Sequence, residues 1–75
     1  MKAEKKVKEI ISKLKALNFE ERNHQIKVYD EDYPLEVSVS NINVPCIADC
    51  RQVAEECGVP FKTFGSFNIG VFEVE

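Results

Sequence analysis

Residues 24–40, HQIKVYDEDYPLEVSVS, contain the clearest periodic pattern in the chain. Apolar side chains alternate with polar or aromatic ones on both sides of a short acidic segment. Because successive side chains of a strand point to opposite faces of a sheet, this alternation predicts a β-hairpin with one buried face. The buried face would contain Ile26, Val28, Leu35, Val37 and Val39. The outer face would contain Lys27, Tyr29, Glu36, Ser38 and Ser40.

The turn of this hairpin, DEDYP at residues 30–34, contains three acidic residues. Acidic loops can hold calcium, but the helix–loop–helix calcium site needs about twelve residues, a central glycine and a final glutamate. This turn is shorter and has no glycine. We therefore expect a solvated turn and no metal site.

Before the hairpin, residues 1–17 predict one amphipathic helix of about four turns. Its apolar positions recur at three- and four-residue spacings and form one stripe: Ala3, Val7, Ile10, Ile11, Leu14 and Leu17. Asn18 follows the stripe and can end the helix, because asparagine tolerates the left-handed backbone conformation.

The remaining surface of this helix is rich in lysine: Lys2, Lys5, Lys6, Lys8, Lys13 and Lys15. Glutamate precedes lysine by four residues at Glu4–Lys8 and Glu9–Lys13, which is the favourable order on a helix. We interpret this surface as a solvated face. The alternative is a contact surface for RNA, DNA or an acidic partner, with Lys5 and Lys8 as candidate binding residues.

A second helix is predicted at about residues 45–57. Pro45 suits the first turn of a helix, and Gly58 followed by Pro60 suits its end. The tail, residues 61–75, then predicts a short strand, a turn and a longer final strand.

Gly70 interrupts the final strand, and we expect it to form a β-bulge. A bulge would bring the strand's large apolar side chains onto one face: Phe67, Ile69, Phe72 and Val74.

These elements predict a single small domain, residues 1–75, of the α+β class. The expected architecture is a two-layer sandwich in the order α-β-β-α-β, with two helices on one face of a small, mostly antiparallel sheet. An extra short strand at residues 61–64 is left open. Because a chain of this size buries only about 60% of its unfolded surface, a protein partner or self-association would add stability.

The charge distribution restricts the class of function. The net charge is −3 and the isoelectric point is about 5.2. Residues 1–17 hold a net +4 and the other residues a net −7. Strong nucleic-acid binders usually have an isoelectric point above about 9, so this chain predicts no extensive phosphate contacts. No apolar run approaches the ~20 residues that span a bilayer, and we expect a cytoplasmic protein without membrane contact.

The three cysteines, at positions 46, 50 and 57, all fall on the second helix. With Val53 and Ala54 they share one helical face, which predicts a role in the core. Cys46 and Cys57 are about 16 Å apart along a helix, too far to ligate one zinc ion. We expect neither a metal nor a cofactor. Cys46 is the one candidate for a reactive thiol, because unpaired N–H groups at a helix start stabilise a thiolate.

Residues 7–60 resemble the HicA-type toxins of bacterial toxin–antitoxin pairs. In that family an amphipathic helix ends in Gly-Phe, an Arg follows, and Gly-Ser-His leads into a strand of a double-stranded-RNA-binding-like fold. Here Asn18 and Phe19 stand for the Gly-Phe, Arg22 for the Arg and His24 for the His. The resemblance implies mRNA cleavage, with His24 as general acid–base and Arg22 and the helix lysines as phosphate ligands.

From the residues alone, His24 is a lone histidine at the start of a strand, which predicts a surface or turn residue. The sequence has no nucleophile–base pair and no glycine-rich phosphate loop. We therefore favour a small regulatory or binding module that acts through protein–protein contacts, of the kind that phages and mobile elements encode. The mRNA-cleaving toxin is the alternative, and RNA is a partner only under it. The predicted binding residues are Lys27, Tyr29, Tyr33, Arg22, Lys5 and Lys8.

Overall fold

The chain forms two helices and four strands around one sheet. A computed structural model describes residues 2–29, 35–66 and 68–74, except for the side chains of residues 2 and 3. In chain order the elements are α1 (Lys2–Ala16), β1 (Ile26–Tyr29), β2 (Glu36–Ser40), α2 (Val44–Cys57), β3 (Phe61–Phe64) and β4 (Ile69–Glu73). The predicted α+β class is confirmed, and the strand left open at residues 61–64 is present as β3.

The sheet has the strand order β1-β2-β4-β3, and every neighbouring pair is antiparallel. β2 and β4 are therefore central, and β1 and β3 are the edges. Val28 is opposite Val37, which is opposite Phe72, which is opposite Phe61. This row of apolar side chains crosses the whole sheet on its inner face, where the helices pack.

The second helix begins and ends where its capping residues predict. The Asn43 side chain accepts a hydrogen bond from the Cys46 N–H at 2.9 Å, and proline occupies the first turn. Gly58 adopts the left-handed conformation at φ 69°, and its N–H bonds the carbonyls of Ala54 and Glu55. Both ends thus satisfy backbone groups that a helix leaves without partners.

The first helix also ends as predicted, at Asn18. This residue has a φ of 59°, and its N–H donates to the Lys15 carbonyl at 2.9 Å. The left-handed turn directs the following residue, Phe19, into the core, where it is fully buried.

The core lies between the inner face of the sheet and the two helices. It combines aliphatic residues of α1, small residues and cysteines of α2, and the central strands, and its fully buried large members are Phe19, Phe72, Ile10, Leu14, Val37, Val39, Cys46, Cys50 and Cys57. The apolar stripes of both helices therefore face the inner surface of the sheet, α1 towards β2 and α2 towards β3 and β4.

Two lysines of α1 bind α2, which corrects the interpretation of the lysine-rich surface as solvated throughout. The Lys6 ammonium donates to the Cys57 carbonyl at the end of α2, where a positive charge also suits the helix dipole. Lys13 pairs with Glu56 at 2.9 Å. These contacts fix the two helices side by side over the sheet.

The expected bulge at Gly70 is wrong. Gly70 pairs in regular register with Val39 on one side and Thr63 on the other. Regular alternation puts Phe72 on the inner face and Ile69 on the outer face, so the two do not share a face. Of the other two residues assigned to that face, Val74 does pack on the core, and residue 67 lies outside the described part of the chain.

The reason for a glycine at position 70 is close packing. A Cβ placed there would lie 2.5 Å from Cζ of the Phe61 ring, which itself packs against Phe72 with ring centroids 4.8 Å apart. The aromatic ring of the edge strand thus occupies the space that a side chain at position 70 would need.

We expect Gly70→Ala to lower the free energy of unfolding by about 1–3 kcal/mol, because the added methyl group overpacks the Phe61 ring. Gly65→Ala is the matched control, since nothing lies within 4 Å of its Cβ position. Chemical denaturation monitored by circular dichroism measures both. Combining Gly70→Ala with Phe61→Leu should recover part of the loss, and purely additive effects would contradict the assigned clash.

Candidate functional site

The outer face of the sheet has a groove that runs between its two edge strands. Its volume is about 250 Å³, and it is lined by Tyr29, Glu36, Ser38, Phe64, Ile69 and Val71. The helices cover the inner face, and no other helix or strand of the described residues is available to cover this one. The groove is therefore open to a partner.

The strand order explains the shape of the groove. Tyr29 is on edge strand β1 and Phe64 on edge strand β3, and they are 48% and 47% exposed. The floor between them comes from the central strands, where Ser38 and Val71 are opposite each other and 9% exposed. Large aromatic side chains at the edges and smaller side chains in the middle give the groove aromatic walls.

Two acidic and two basic side chains lie on this face. Glu36 and Glu73 are directly opposite each other on β2 and β4. Lys62 pairs with Glu73 at 2.9 Å, and the Lys27 ammonium lies 5.3 Å from the centre of the Tyr29 ring.

The pKa of the Lys62 ammonium is raised, chiefly by the hydrogen bond and charge of Glu73, with a smaller contribution from Glu36. The Lys62 ammonium therefore attracts both Glu73, which it bonds, and the more weakly interacting Glu36. No salt bridge of Glu36 is found among the described residues.

The structure brings together only two of the predicted binding residues, Lys27 and Tyr29. Tyr33 lies outside the described residues. Lys5 and Lys8 are exposed on α1, which packs on the inner side of the sheet. Sequence analysis had not assigned Phe64, Ile69 or Val71 to a binding surface, because the bulge expected in β4 placed Ile69 on the inner face.

Arg22 has a structural role that the sequence did not reveal. Its guanidinium pairs with Asp49 of α2 at 2.8 Å and lies 4.9 Å from the centre of the Phe19 ring. These contacts tie the segment after α1 to the second helix. With its charge already paired, Arg22 is less suited to hold phosphate than the sequence suggested.

His24 is buried, which corrects the expectation of a surface or turn residue. It is 2% exposed, its backbone N–H donates to the Phe19 carbonyl at 2.8 Å, and its ring meets the Phe19 ring edge-on with centroids 5.1 Å apart. Its buried Nδ1 has no hydrogen-bond partner within the described part of the chain. A general acid–base must reach the proton it transfers, and this packing counts against such a role.

The three cysteines are free, buried core residues, as expected from their shared helical face. Sγ of Cys46 and Sγ of Cys50 are 4.0 Å apart, against about 2.05 Å in a disulfide. Burial raises the pKa of both thiols. Burial counts against Cys46 as a reactive thiol, because it disfavours the charged thiolate, and the reactivity of Cys46 stays a prediction.

Other classes of site find no support within residues 2–29, 35–66 and 68–74. No three His, Cys, Asp or Glu side chains converge there as metal ligands would. In the same ranges, neither helix has the length and apolar character needed to cross a bilayer.

No family model, curated protein or solved structure matches the chain. The resemblance to HicA-type toxins therefore rests on the residues quoted for it, and mRNA cleavage stays a prediction.

We expect His24→Ala to lower the free energy of unfolding by about 2 kcal/mol, because it removes a buried ring from the Phe19 contact. Gln25→Ala, at an exposed neighbour, should leave stability within about 0.5 kcal/mol of the wild type. Thermal unfolding measures both. Equal stability of the two variants would contradict the role of His24 in the core.

The same residue allows a clean test of the toxin hypothesis. His24→Phe keeps a ring in the core but removes the nitrogens that move protons. A toxin should arrest growth on expression, and His24→Phe should abolish the arrest while the protein stays folded. Harmless wild-type protein, or toxicity that survives His24→Phe, removes the hypothesis.

Native protein should react slowly with a disulfide reagent at all three cysteines, since burial raises the pKa of each thiol. In denaturant all three should react at once. Stopped-flow labelling followed by mass spectrometry of the peptides assigns the rates. Fast labelling of Cys46 in the native state would contradict this assignment.

Proposed function

We propose that this protein is a small binding module whose partner is another protein, bound at the groove on the outer face of the sheet. The observation that supports the proposal most directly is the pair of half-exposed aromatic walls, Tyr29 and Phe64, on either side of an apolar floor. Aromatic side chains are enriched at protein interfaces, and hot spots concentrate in pockets that exclude water.

The charges of this face favour a protein over a nucleic acid. Lys27 and Lys62 are balanced by Glu36 and Glu73, so the face has no net positive charge. Binding a nucleic acid depends on neutralising several phosphates, which needs an excess of Lys and Arg. The net −7 outside residues 1–17 adds further repulsion.

The residues of the groove also favour binding over catalysis. Its described lining contains one carboxylate and two hydroxyls, with no histidine, cysteine or lysine among them. A nucleophile needs a neighbouring base, and Ser38 has none in this lining. The apolar floor and aromatic walls can exclude water from a partner's side chains, which is what an interface requires.

A protein partner would also add stability to a small domain. Folding 75 residues leaves a modest core, and a bound segment would remove further apolar surface from water. A regulatory role follows if the partner's activity changes when the module occupies it.

We expect Phe64→Ser to weaken binding of partner peptides about 30-fold, because truncating an aromatic anchor costs about 2 kcal/mol or more. Peptides selected from a random display library against the wild type are the probes, and fluorescence anisotropy measures their affinities. Val44→Ser is the matched control, since Val44 is an 81% exposed apolar residue outside the groove.

The peptide experiment has one outcome that supports the proposal and one that overturns it. Selected peptides that lose affinity with Phe64→Ser but not with Val44→Ser support the groove as the binding site. A selection that yields no binder, or binders indifferent to Phe64→Ser in a variant shown to be folded, overturns the proposal.

A further inference from the structure

We infer that the protein segment recognised by this groove anchors itself with an arginine side chain, whose guanidinium lies between Tyr29 and Glu36. This inference rests on the proposed function and names the chemistry of the partner. Three observations support it: a carboxylate, Glu36, without a salt bridge among the described residues, an aromatic ring that already attracts a cation, and an apolar floor beside both.

The carboxylates Glu36 and Glu73 form a cross-strand pair on the outer face, at one end of the two central strands. Like charges directly opposite each other in a sheet repel. Lys62 bonds to Glu73, and Lys27 lies on the same face beside the Tyr29 ring, but within the described residues Glu36 has no salt bridge of its own. A guanidinium from a partner would supply the ion pair that Glu36 lacks.

The Tyr29 ring is suited to receive that cation. In register, Tyr29 is opposite Glu36, so that the ring and the carboxylate are neighbours on the same face. The Lys27 ammonium already lies 5.3 Å from the ring centre, which shows that a cation can approach the ring on this side of the sheet. Cation–π attraction is strongest when the site is desolvated, as it would be under a bound segment.

The floor of the groove explains why the cation belongs to a long side chain. Val71 and Ile69 present apolar surface between the aromatic walls, against which an aliphatic stem can lie. Arginine combines such a stem with a planar head that stacks on a ring and bonds a carboxylate through two parallel N–H groups. Lysine has the stem and the charge but lacks the planar fork.

An acidic segment and a second copy of this chain are the competing occupants. An acidic segment would face the Glu36–Glu73 pair and the net −7 outside residues 1–17. In a copy of this chain, Arg22 already pairs with Asp49, and of its two arginines only Arg51 would be free to act as the anchor. Charge complementarity therefore favours a cationic segment of another protein.

The test uses three matched peptides that differ at one position: acetyl-Gly-Leu-Xaa-Leu-Gly-amide with Xaa as arginine, citrulline or glutamate. Citrulline keeps the shape of arginine without its charge. Titrations followed by amide chemical shifts of the ¹⁵N-labelled protein should show shifts at Ser38 and Val71. We expect the arginine peptide to bind about tenfold more tightly than citrulline, because charge-assisted bonds are the stronger ones.

Two variants of the protein test whether binding depends on the Glu36 carboxylate. Glu36→Gln should reduce binding of the arginine peptide to the citrulline level. Glu55→Gln, the matched control, removes an exposed carboxylate of α2 outside the groove and should leave binding unchanged. Loss of binding with Glu55→Gln, tighter binding of the glutamate peptide, or no groove shifts at peptide concentrations of about 10 mM would overturn the inference.

The thermal midpoint of unfolding distinguishes a binding role of Glu36 from a structural one. Glu36→Gln removes repulsion across β2 and β4, so the thermal midpoint should rise while binding weakens. A fall in the midpoint would mean that Glu36 serves the fold and would contradict the inference.

The two proposals fail in different ways. Display-selected peptides that depend on Phe64 but not on Glu36 leave the proposed function standing and remove the arginine. Binders that do not depend on Phe64 remove the proposed function itself. Size-exclusion chromatography with light scattering at two concentrations identifies self-association, and a dimer that Phe64→Ser dissociates would replace the partner protein with a second copy.

Discussion

The register between the two central strands is the constraint on which the rest of this structure depends. Val37 opposite Phe72 and Val39 opposite Gly70 form the centre of the inner face. Because side chains alternate with a period of two, a slip of one residue in either strand would exchange its buried and exposed sets. The same register that buries the valines sets the carboxylates of Glu36 and Glu73 opposite each other on the other face.

The helices stabilise this register because both pack on the inner face of the sheet. Cys46, Cys50 and Cys57 recur along α2 and are each almost fully buried, so that the helix presents small apolar groups to the sheet. Two polar contacts add to this packing: Lys6 bonds the last carbonyl of α2, and Arg22 joins the segment after α1 to Asp49 of the same helix. Charged side chains that the sequence presented as surface groups thus also connect the two helices.

Local chemistry made the element boundaries predictable. Asn18 and Gly58 end their helices through their own backbone preferences, and the hairpin alternation predicted its inner face without reference to any other element. The errors concern how side chains pack once the chain has turned, which the periodic pattern does not specify. His24 is buried because of the path of the turn that follows Asn18, and Gly70 is a glycine because of the Phe61 ring on a neighbouring strand. Neither contact leaves a signal in a single sequence.

The two faces of the sheet differ in how well neighbouring side chains fit one another. On the inner face each position is consistent with its neighbours, down to the missing side chain at Gly70 that admits the Phe61 ring. On the outer face, Glu36 and Glu73 repel, and the Tyr29 ring is half exposed. Selection for stability alone would replace one of these carboxylates, since a single substitution removes the repulsion. We take this difference between the two faces as support for the proposed contact between the outer face and another protein, because local rules are broken most often at functional sites.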